Sequence, residues 1–324
     1  MKTNTASHSG PRSRACFNSL PALAAAGFLL SGLGAATGRA AILYAANFGN
    51  NTIEKFTSDG VGSLFASTGI NGPNGPAFDS AGNLYVANNG DNTIEKFTPG
   101  GVGSVFASGL HAPDGLAFDR AGNLYETETN IRAIEKFTPG GVGSVFSNSF
   151  VLTYGFGLAF DSAGNLYVAD VIPNRILKLT PDGSVISVFA SGGLSMPEYL
   201  AFDSAGNLYA SSSGNNTIMK YTLGGVGSVF ASTGLNVPTG LAFDSVGNLY
   251  VANAGNNTIM KFTPGGVGSV FADASSGVNQ PSGLAFTDDA GVPLRLPGGP
   301  VPEPSTWAML TAATGALLAL RRRR

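Results

Sequence analysis

Short strand-like runs rich in Leu, Ile, Val, Phe and Tyr recur along the middle of the chain, about every 41 residues. The consensus LAFDSAGNLYVANxGNNTIxKFTPGGVGSVFAS contains four such runs: LAF, NLYVA, TIxKF and GSVFA. Gly, Asn, Asp and Pro fill the connections, where tight reversals need a positive φ or a preset backbone. Short runs rich in β-branched and aromatic residues and bounded by turn residues are typical of β-strands, so each repeat predicts four strands.

A Leu-Tyr pair marks each copy of the repeat and shows how many copies there are. It occurs six times, at 43–44, 84–85, 124–125, 166–167, 208–209 and 249–250. Four strands every forty-odd residues are typical of one β-propeller blade. The first copy starts at Ala41 without its LAF run, and a solitary LAF run stands at 284–286. We expect that run to complete the first blade and close the ring, which removes an exposed sheet edge.

The predicted fold class is therefore all-β, a six-bladed propeller of four-stranded blades, flanked by a signal helix and a short C-terminal transmembrane helix. Residues 1–40 combine a basic start, an apolar stretch over 20–36 and small residues, which is the layout of a secretory signal. Cleavage is expected after Ala36 or Ala40. The propeller is assigned to 41–290, a linker to 291–300 and a sorting signal to 301–324.

The C-terminal tail has three parts in a fixed order. Pro302, Glu303 and Pro304 precede an apolar stretch over 306–320, and four arginines follow: Arg321, Arg322, Arg323 and Arg324. This order resembles the PEP-CTERM sorting signal. The resemblance implies recognition by an exosortase-type membrane protease in a Gram-negative bacterium that makes exopolysaccharide. It implies transient anchoring in the inner membrane, then delivery to the cell surface or extracellular matrix, with exopolysaccharide or a surface protein as the partner there.

Charge and rare residues exclude several classes of function. Residues 41–300 hold 10 Lys and Arg against 19 Asp and Glu, a net charge of −9 without a basic stripe, which argues against nucleic-acid binding. The only cysteine, Cys16, lies in the signal, and His111 is the only histidine that remains after processing. A Ser-His-Asp set or a cysteine nucleophile cannot be proposed, and we predict no catalytic residue.

Comparison of the six copies with one another locates the candidate ligand face. Two classes of loop vary, the loop after the second strand and the loop entering the first strand, and in a propeller both lie at the same mouth of the central channel. The third blade differs most, with YETETNIRAIEKF in place of YVANNGDNTIEKF, next to a rebuilt loop at 150–156. The candidate residues on this face are Asp114, Glu126, Glu128, Arg132, Tyr154 and Phe156. The alternative interpretation is a drifted blade with solvated charges.

The motifs PxGLAF, DxxGNLYVA and NxIxKF resemble those of NHL-type and gluconolactonase/regucalcin-like six-bladed propellers over about 250 residues. The lactonase relatives hold a divalent metal at the channel mouth, and the resemblance implies Glu198, Asn74 and Asp114 as its ligands in this chain. Oxygen ligands of this kind would suit Ca²⁺ or Mn²⁺. A streptogramin-lyase-like propeller is a further enzyme class, but its paired histidines have no counterpart in this chain.

Two classes of function stay open from the sequence. The favoured one is a non-catalytic surface or matrix propeller that binds a partner or forms part of the coat. The alternative is a metal-dependent lactonase-like hydrolase, in which a metal-bound water would attack a lactone carbonyl. Near-identical blades favour the first, because most of the ring carries scaffold residues rather than a differentiated pocket.

Overall fold

The computed structural model describes residues 41–148, 152–184 and 186–288. They form 24 strands in six antiparallel four-stranded sheets, which confirms the predicted six-bladed propeller. The innermost strands of neighbouring blades contact one another all the way round the ring. The signal, the linker and the sorting tail, with their predicted helices, lie outside the described residues.

Three blades form the first half of the ring, and the strands of each blade follow one another from the channel outwards. Blade 1 consists of β24 (Pro281–Asp288), β1 (Ala41–Asn47), β2 (Thr52–Phe56) and β3 (Gly62–Ala66); blade 2 of β4 (Pro73–Phe78), β5 (Leu84–Asn88), β6 (Thr93–Phe97) and β7 (Gly103–Ser108); blade 3 of β8 (Pro113–Phe118), β9 (Leu124–Glu128), β10 (Ala133–Phe137) and β11 (Gly143–Ser147).

The other three blades have the same order of strands. Blade 4 consists of β12 (Gly155–Phe160), β13 (Leu166–Asp170), β14 (Arg175–Leu179) and β15 (Ile186–Ala190); blade 5 of β16 (Pro197–Phe202), β17 (Leu208–Ser212), β18 (Thr217–Tyr221) and β19 (Gly227–Ala231); blade 6 of β20 (Pro238–Phe243), β21 (Leu249–Asn253), β22 (Thr258–Phe262) and β23 (Gly268–Ala272). A 3₁₀ turn at Ala274–Ser276, capped by Asp273, links blade 6 to β24.

Blade 1 is closed by the two ends of the propeller, as the solitary LAF run predicts. Strand β24 pairs with β1 in antiparallel register, with Phe286 opposite Leu43 and Ala285 opposite Tyr44. The last strand of the ring therefore supplies the innermost strand that the first repeat lacks. Opening the ring would expose a sheet edge and the apolar surface of two blades together.

The tyrosine of the repeated Leu-Tyr pair makes the same edge-to-face aromatic contacts in every blade. In blade 2, the ring of Tyr85 lies edge-on to Phe106 of its own outer strand and to Phe118 of the next blade, with centroid separations of 4.9 and 5.0 Å. Lys96 Nζ lies 5.2 Å from the Tyr85 centroid and 3.9 Å from Asp79 Oδ2. Such edge-to-face pairs add to the burial of aromatic area, so this unit joins adjacent blades.

The aspartate of each first turn is used by the turn itself. Asp79 Oδ1 accepts the amides of Ala81 and Asn83 at 2.9 Å, and Oδ2 accepts the side-chain amide of Asn83 at 2.7 Å. Gly82 takes a φ of 81°, which favours glycine. The DxxGN motif is thus a capped turn in which the carboxylate is already hydrogen-bonded.

Two asparagines tie each typical blade to the mouth loops. In blade 2, the fully buried Asn88 accepts the amide of Asn71 with its Oδ1 at 3.3 Å. Asn92, in the left-handed region with a φ of 57°, accepts the amide of Ala112 in the next blade at 2.9 Å. Left-handed asparagines make the same contact across four further junctions; they are Asn51, Asn174, Asn216 and Asn257.

Candidate functional site

A cavity of about 360 Å³ lies at the mouth of the central channel. The second residue of each inner strand lines it, so the six blades contribute one side chain each: Asn74, Asp114, Phe156, Glu198, Thr239 and Ser282. The wall and rim are completed by Phe48, Tyr199, Val237, Ala254, Gly255 and Gln280. Both variable loop classes therefore meet at one mouth, as the comparison of the repeats predicts.

Asp114 is the best-connected side chain of this mouth cavity. Its Oδ2 accepts a hydrogen bond from Asn74 Nδ2 at 3.0 Å, and its Oδ1 accepts one from the Tyr199 hydroxyl at 3.2 Å. Only 3% of the residue is exposed. Blades 2, 3 and 5 thus meet through a single carboxyl group, although 85 residues of sequence separate Asp114 from Tyr199.

Tyr199 is a site residue that the repeat pattern did not lead us to predict. Its hydroxyl also accepts the amide of Gly75 at 2.9 Å, so the side chain crosses the channel from blade 5 to the opposite blade. The equivalent residue in the other five blades is glycine: Gly75, Gly115, Gly157, Gly240 and Gly283. The signal was present in the repeats, because a tyrosine replaces a glycine in PxGLAF only once.

The glycines of this ring are required by the close approach of the inner strands. A Cβ placed on Gly115 would lie 2.3 Å from the carbonyl oxygen of Phe156. In blade 5 the amide of Tyr199 is held by the hydroxyl of Ser211, at 2.9 Å, where other blades have alanine or threonine. Thr127 holds the amide of Gly115 in blade 3 in the same way, at 2.9 Å, so this contact does not depend on the tyrosine.

Burial raises the pKa values of both acids that line the mouth cavity. Burial, together with the nearby Glu198 carboxylate, raises the pKa of Asp114 to about 8, against the hydrogen bond from Tyr199. Burial also raises the pKa of Glu198, partly offset by the hydrogen bond from Ser213 Oγ to its Oε1 at 2.8 Å. Near neutral pH the cavity accordingly favours a protonated Asp114 unless a positive charge enters.

Glu126 and Glu128, expected on the ligand face, are instead buried inside blade 3, with 0% and 2% exposure. The reason is their register: Glu126 stands opposite Leu116 on one side and Glu135 on the other, at a position where three blades have valine. Neither Glu126 oxygen has a partner among the described residues. Burial and the neighbouring acids raise its pKa well above 4.5.

Glu128 closes a loop rather than facing a ligand. Its Oε1 accepts the amide of His111 at 3.1 Å and lies 3.3 Å from the His111 ring. Five other blades place a polar side chain at this strand end, where each accepts a loop amide: Asn47, Asn88, Asp170, Ser212 and Asn253. The residue type at this position varies, but in every blade its side chain accepts a hydrogen bond from a loop amide.

The remaining predicted residues divide between the cavity and its surroundings. Phe156 lines the mouth cavity, and its ring lies 5.3 Å from that of Tyr154, which is 37% exposed. Arg132 lies on the exposed turn between β9 and β10 with a φ of 59° and does not line the cavity. The structure therefore brings Asp114 and Phe156 together but leaves Glu126, Glu128 and Arg132 outside the cavity.

The three residues expected to bind a metal do converge on the mouth cavity, but they offer fewer oxygen ligands than a Ca²⁺ ion takes. Asn74 and Tyr199 each occupy one oxygen of Asp114, and Ser213 occupies one oxygen of Glu198. The described residues contain no group of three or more His, Cys, Asp or Glu placed to hold a metal. Ca²⁺ takes six to eight oxygen ligands, which this arrangement does not supply.

A second cavity, of about 570 Å³, opens at the other end of the channel. It is lined mainly by the Leu, Ala and Phe residues of the inner strands and by the first turn of blade 6, including Val246. Its wall repeats from blade to blade. The two ends of the channel thus differ in kind, one differentiated and acidic, the other repetitive and apolar.

The comparisons with known proteins support the tail and the fold. Residues 300–324 match the PEP-CTERM protein-sorting motif. That tail lies outside the described residues, and no helix within them is long and apolar enough to cross a membrane. No curated protein matches the chain in sequence.

Solved structures share the fold at low sequence identity. A nidogen/laminin complex matches with a TM-score of 0.68 and 20% identity, over 76% of this chain and 98% of that one. A gluconolactonase from Xanthomonas campestris matches at 0.57 and 20%, over 67% and 82%. Virginiamycin B lyase from Staphylococcus aureus matches at 0.55 and 19%, over 67% and 77%. Likeness at this level shows the fold alone. The chain is thus a six-bladed β-propeller that carries a PEP-CTERM motif, and hence an exported, sorted protein.

Proposed function

We propose that this protein is a non-catalytic binding propeller of the cell surface or extracellular matrix, which holds its partner at the mouth cavity. The observation that carries the proposal is the concentration of departures from the repeat at one end of the channel. Asp114, Phe156, Glu198 and Tyr199 differ from their equivalents, whereas the opposite end repeats the same side chains. A rigid ring with one differentiated mouth is typical of propellers that bind at that mouth.

The residues that line the same cavity do not form an activated serine, threonine or cysteine nucleophile. Among the described residues, its lining contains no His, Lys or Cys, and its serine and threonine hydroxyls donate to backbone, whereas the Tyr199 hydroxyl donates to Asp114. Thr239 Oγ1 donates to the Pro281 carbonyl at 2.8 Å, and Ser282 Oγ donates to the Pro73 carbonyl at 2.6 Å. A hydroxyl nucleophile needs an adjacent base to be activated, and neither side chain has one.

Filling the mouth tests the proposal in the bacterium that makes the protein. Ala254→Trp places a large side chain in the wall of the mouth cavity, and Val246→Trp makes the same change in the opposite cavity of the same blade. We expect Ala254→Trp to move the exported protein from the surface and matrix fraction into the medium, while Val246→Trp keeps the wild-type distribution. An unchanged distribution for Ala254→Trp would contradict binding at the mouth.

A metal-dependent lactonase-like hydrolase is the second candidate, favoured by the convergence of Asn74, Asp114 and Glu198 on one cavity. Melting curves of the chelator-treated protein in Ca²⁺, Mn²⁺ and Zn²⁺ test it. A site filled at 100 times its Kd adds about 2.7 kcal/mol to the free energy of unfolding, a shift of a few degrees. A shift that disappears in Asp114→Ala would favour the hydrolase, and flat curves in all three ions would exclude it.

A further inference from the structure

We infer that the ligand of the mouth cavity carries a primary ammonium group on a compact apolar body. This inference rests on the proposed binding function and names the chemistry of the partner. Two carboxyl groups, Asp114 and Glu198, face the cavity, and none of the described residues that line it is Lys, Arg or His. The protein thus leaves its own acids without an ion-pair partner at a mouth open to solvent.

The electrostatics of the channel favour a positive ligand. Asp114 and Glu198 repel each other, and Glu126, on the strand paired with that of Asp114, interacts unfavourably with Asp114 as well. Tyr199 is the other titratable group in contact, and it is neutral and donates to Asp114. An entering cation stabilises the ionised forms of Asp114 and Glu198, and its attraction is strong where water is excluded.

The acceptors suit an ammonium group better than a metal ion. Each Asp114 oxygen already accepts one hydrogen bond, and a carboxylate oxygen has a second lone pair for an N–H donor. The second oxygen of Glu198 has no protein partner among the described residues. Thr239 and Ser282, which also line the cavity, donate their own protons to backbone carbonyls, so their oxygens can only accept from a ligand.

The walls of the cavity indicate what the ammonium group is attached to. Phe48, Phe156, Val237 and Ala254 form an apolar surface beside the acids, and Phe48 is 48% exposed at the rim. Aromatic faces next to a carboxylate attract an organic cation through both its charge and its carbon skeleton. A volume of about 360 Å³ holds a single ring of six heavy atoms with its substituents.

Two matched probes of nearly equal shape, cyclohexylamine and cyclohexanol, separate charge from fit. Calorimetric titration of the processed protein should give an affinity for the amine at least about tenfold higher than for the alcohol, because charge-assisted hydrogen bonds are the stronger ones. Asp114→Asn and Glu198→Gln should each weaken the amine about tenfold and leave the alcohol within about twofold. Asp182→Asn, an exposed acid outside the cavity, should change neither.

Equal affinity for amine and alcohol, or no binding of either, would overturn the ammonium inference. So would a Ca²⁺-dependent rise in melting temperature that is lost in Asp114→Asn, because that result assigns the cavity to a metal. These results are independent of the matrix-retention experiment. If Ala254→Trp loses retention but the wild type does not bind the amine, the binding function stands and the ammonium inference is rejected. If Ala254→Trp is retained normally and the wild type binds the amine, the cavity chemistry stands and the retention function is rejected.

Discussion

Blades 2 and 3 have the same backbone but different interiors. Val86, Ala87 and Asn88 of β5 correspond to Glu126, Thr127 and Glu128 of β9, and all six side chains are buried. In blade 2, Val86 and Ala87 pack in apolar clusters, and Asn88 accepts the backbone amide of a mouth loop. Blade 3 fills them with two acids and a hydroxyl that donates to the Phe156 carbonyl at 2.8 Å. The comparison shows that a regular ring of blades tolerates a polar interior in one blade.

The junctions that follow the two blades differ as well. Asn92, in the turn between β5 and β6 of blade 2, accepts an amide of blade 3, whereas its equivalent after β9 is Arg132, a donor that cannot accept. Blade 4 supplies the acceptor itself: buried Asp170 accepts the amides of Thr153 and Tyr154 at 3.0 and 2.8 Å. Asp170 alone thus accepts the two loop amides that two different asparagines accept in a typical blade.

The largest effect is expected when the acid of blade 3 is moved into blade 2. Val86→Glu buries a carboxyl group in an apolar cluster without a partner, and should lower the free energy of unfolding by about 3 kcal/mol or more at pH 7. Urea unfolding measures it. Val102→Glu, in the exposed turn that leads into the outer strand of the same blade, is the control and should stay within about 0.5 kcal/mol.

Removal of the blade 4 acceptor should come next. Asp170→Ala removes the acceptor of two loop amides and of Arg175, whose Nε lies 2.8 Å from Asp170 Oδ2. We expect a loss of about 2–3 kcal/mol in the free energy of unfolding. Asn88→Ala, which removes one loop amide contact in blade 2, should cost less in the same assay. An equal cost for the two variants would contradict the relocation of the junction to Asp170.

The converse exchange, Glu126→Val, should stabilise the protein by about 2 kcal/mol at pH 8. The folded state raises the pKa of Glu126, so the carboxyl is neutral in both states below about pH 4.5 and ionises first in the unfolded chain above it. Wild-type stability should therefore fall as pH rises, by up to about 1.4 kcal/mol per unit from this group. The variant should lack that component in urea titrations from pH 5 to 8; parallel pH profiles would show that Glu126 does not carry it.

The smallest effects concern the left-handed turn. Asn92→Ala removes the bond to the Ala112 amide and places alanine at positive φ, for a loss of about 1–2 kcal/mol. Arg132→Asn restores the consensus residue, yet the corresponding amide is already held by Asp170, so it should change stability by less than about 0.5 kcal/mol. Thermal melting resolves the pair, and a stabilisation as large as the Asn92 loss would contradict this account.

The ring could be predicted because its information is repeated. Leu-Tyr pairs, DxxGN turns and the solitary LAF run specify four strands, six blades and closure by β24. The cavity could be predicted in part, since Asn74, Asp114 and Glu198 follow a proline in equivalent loops. Tyr199 was missed because its place in the channel depends on how closely glycines bring six strands together. Glu126 was misplaced because charge suggested solvent, whereas β9 is buried on both of its faces.

The Tyr199 side chain lies across the central channel of the propeller. Because its side chain reaches from blade 5 to the amide of Gly75 on the far side of the ring, the hole along the axis is interrupted between the two openings. One side chain therefore stands across the path between the two cavities. We expect a long polymer to bind at the mouth by an end or a side group rather than to pass along the axis.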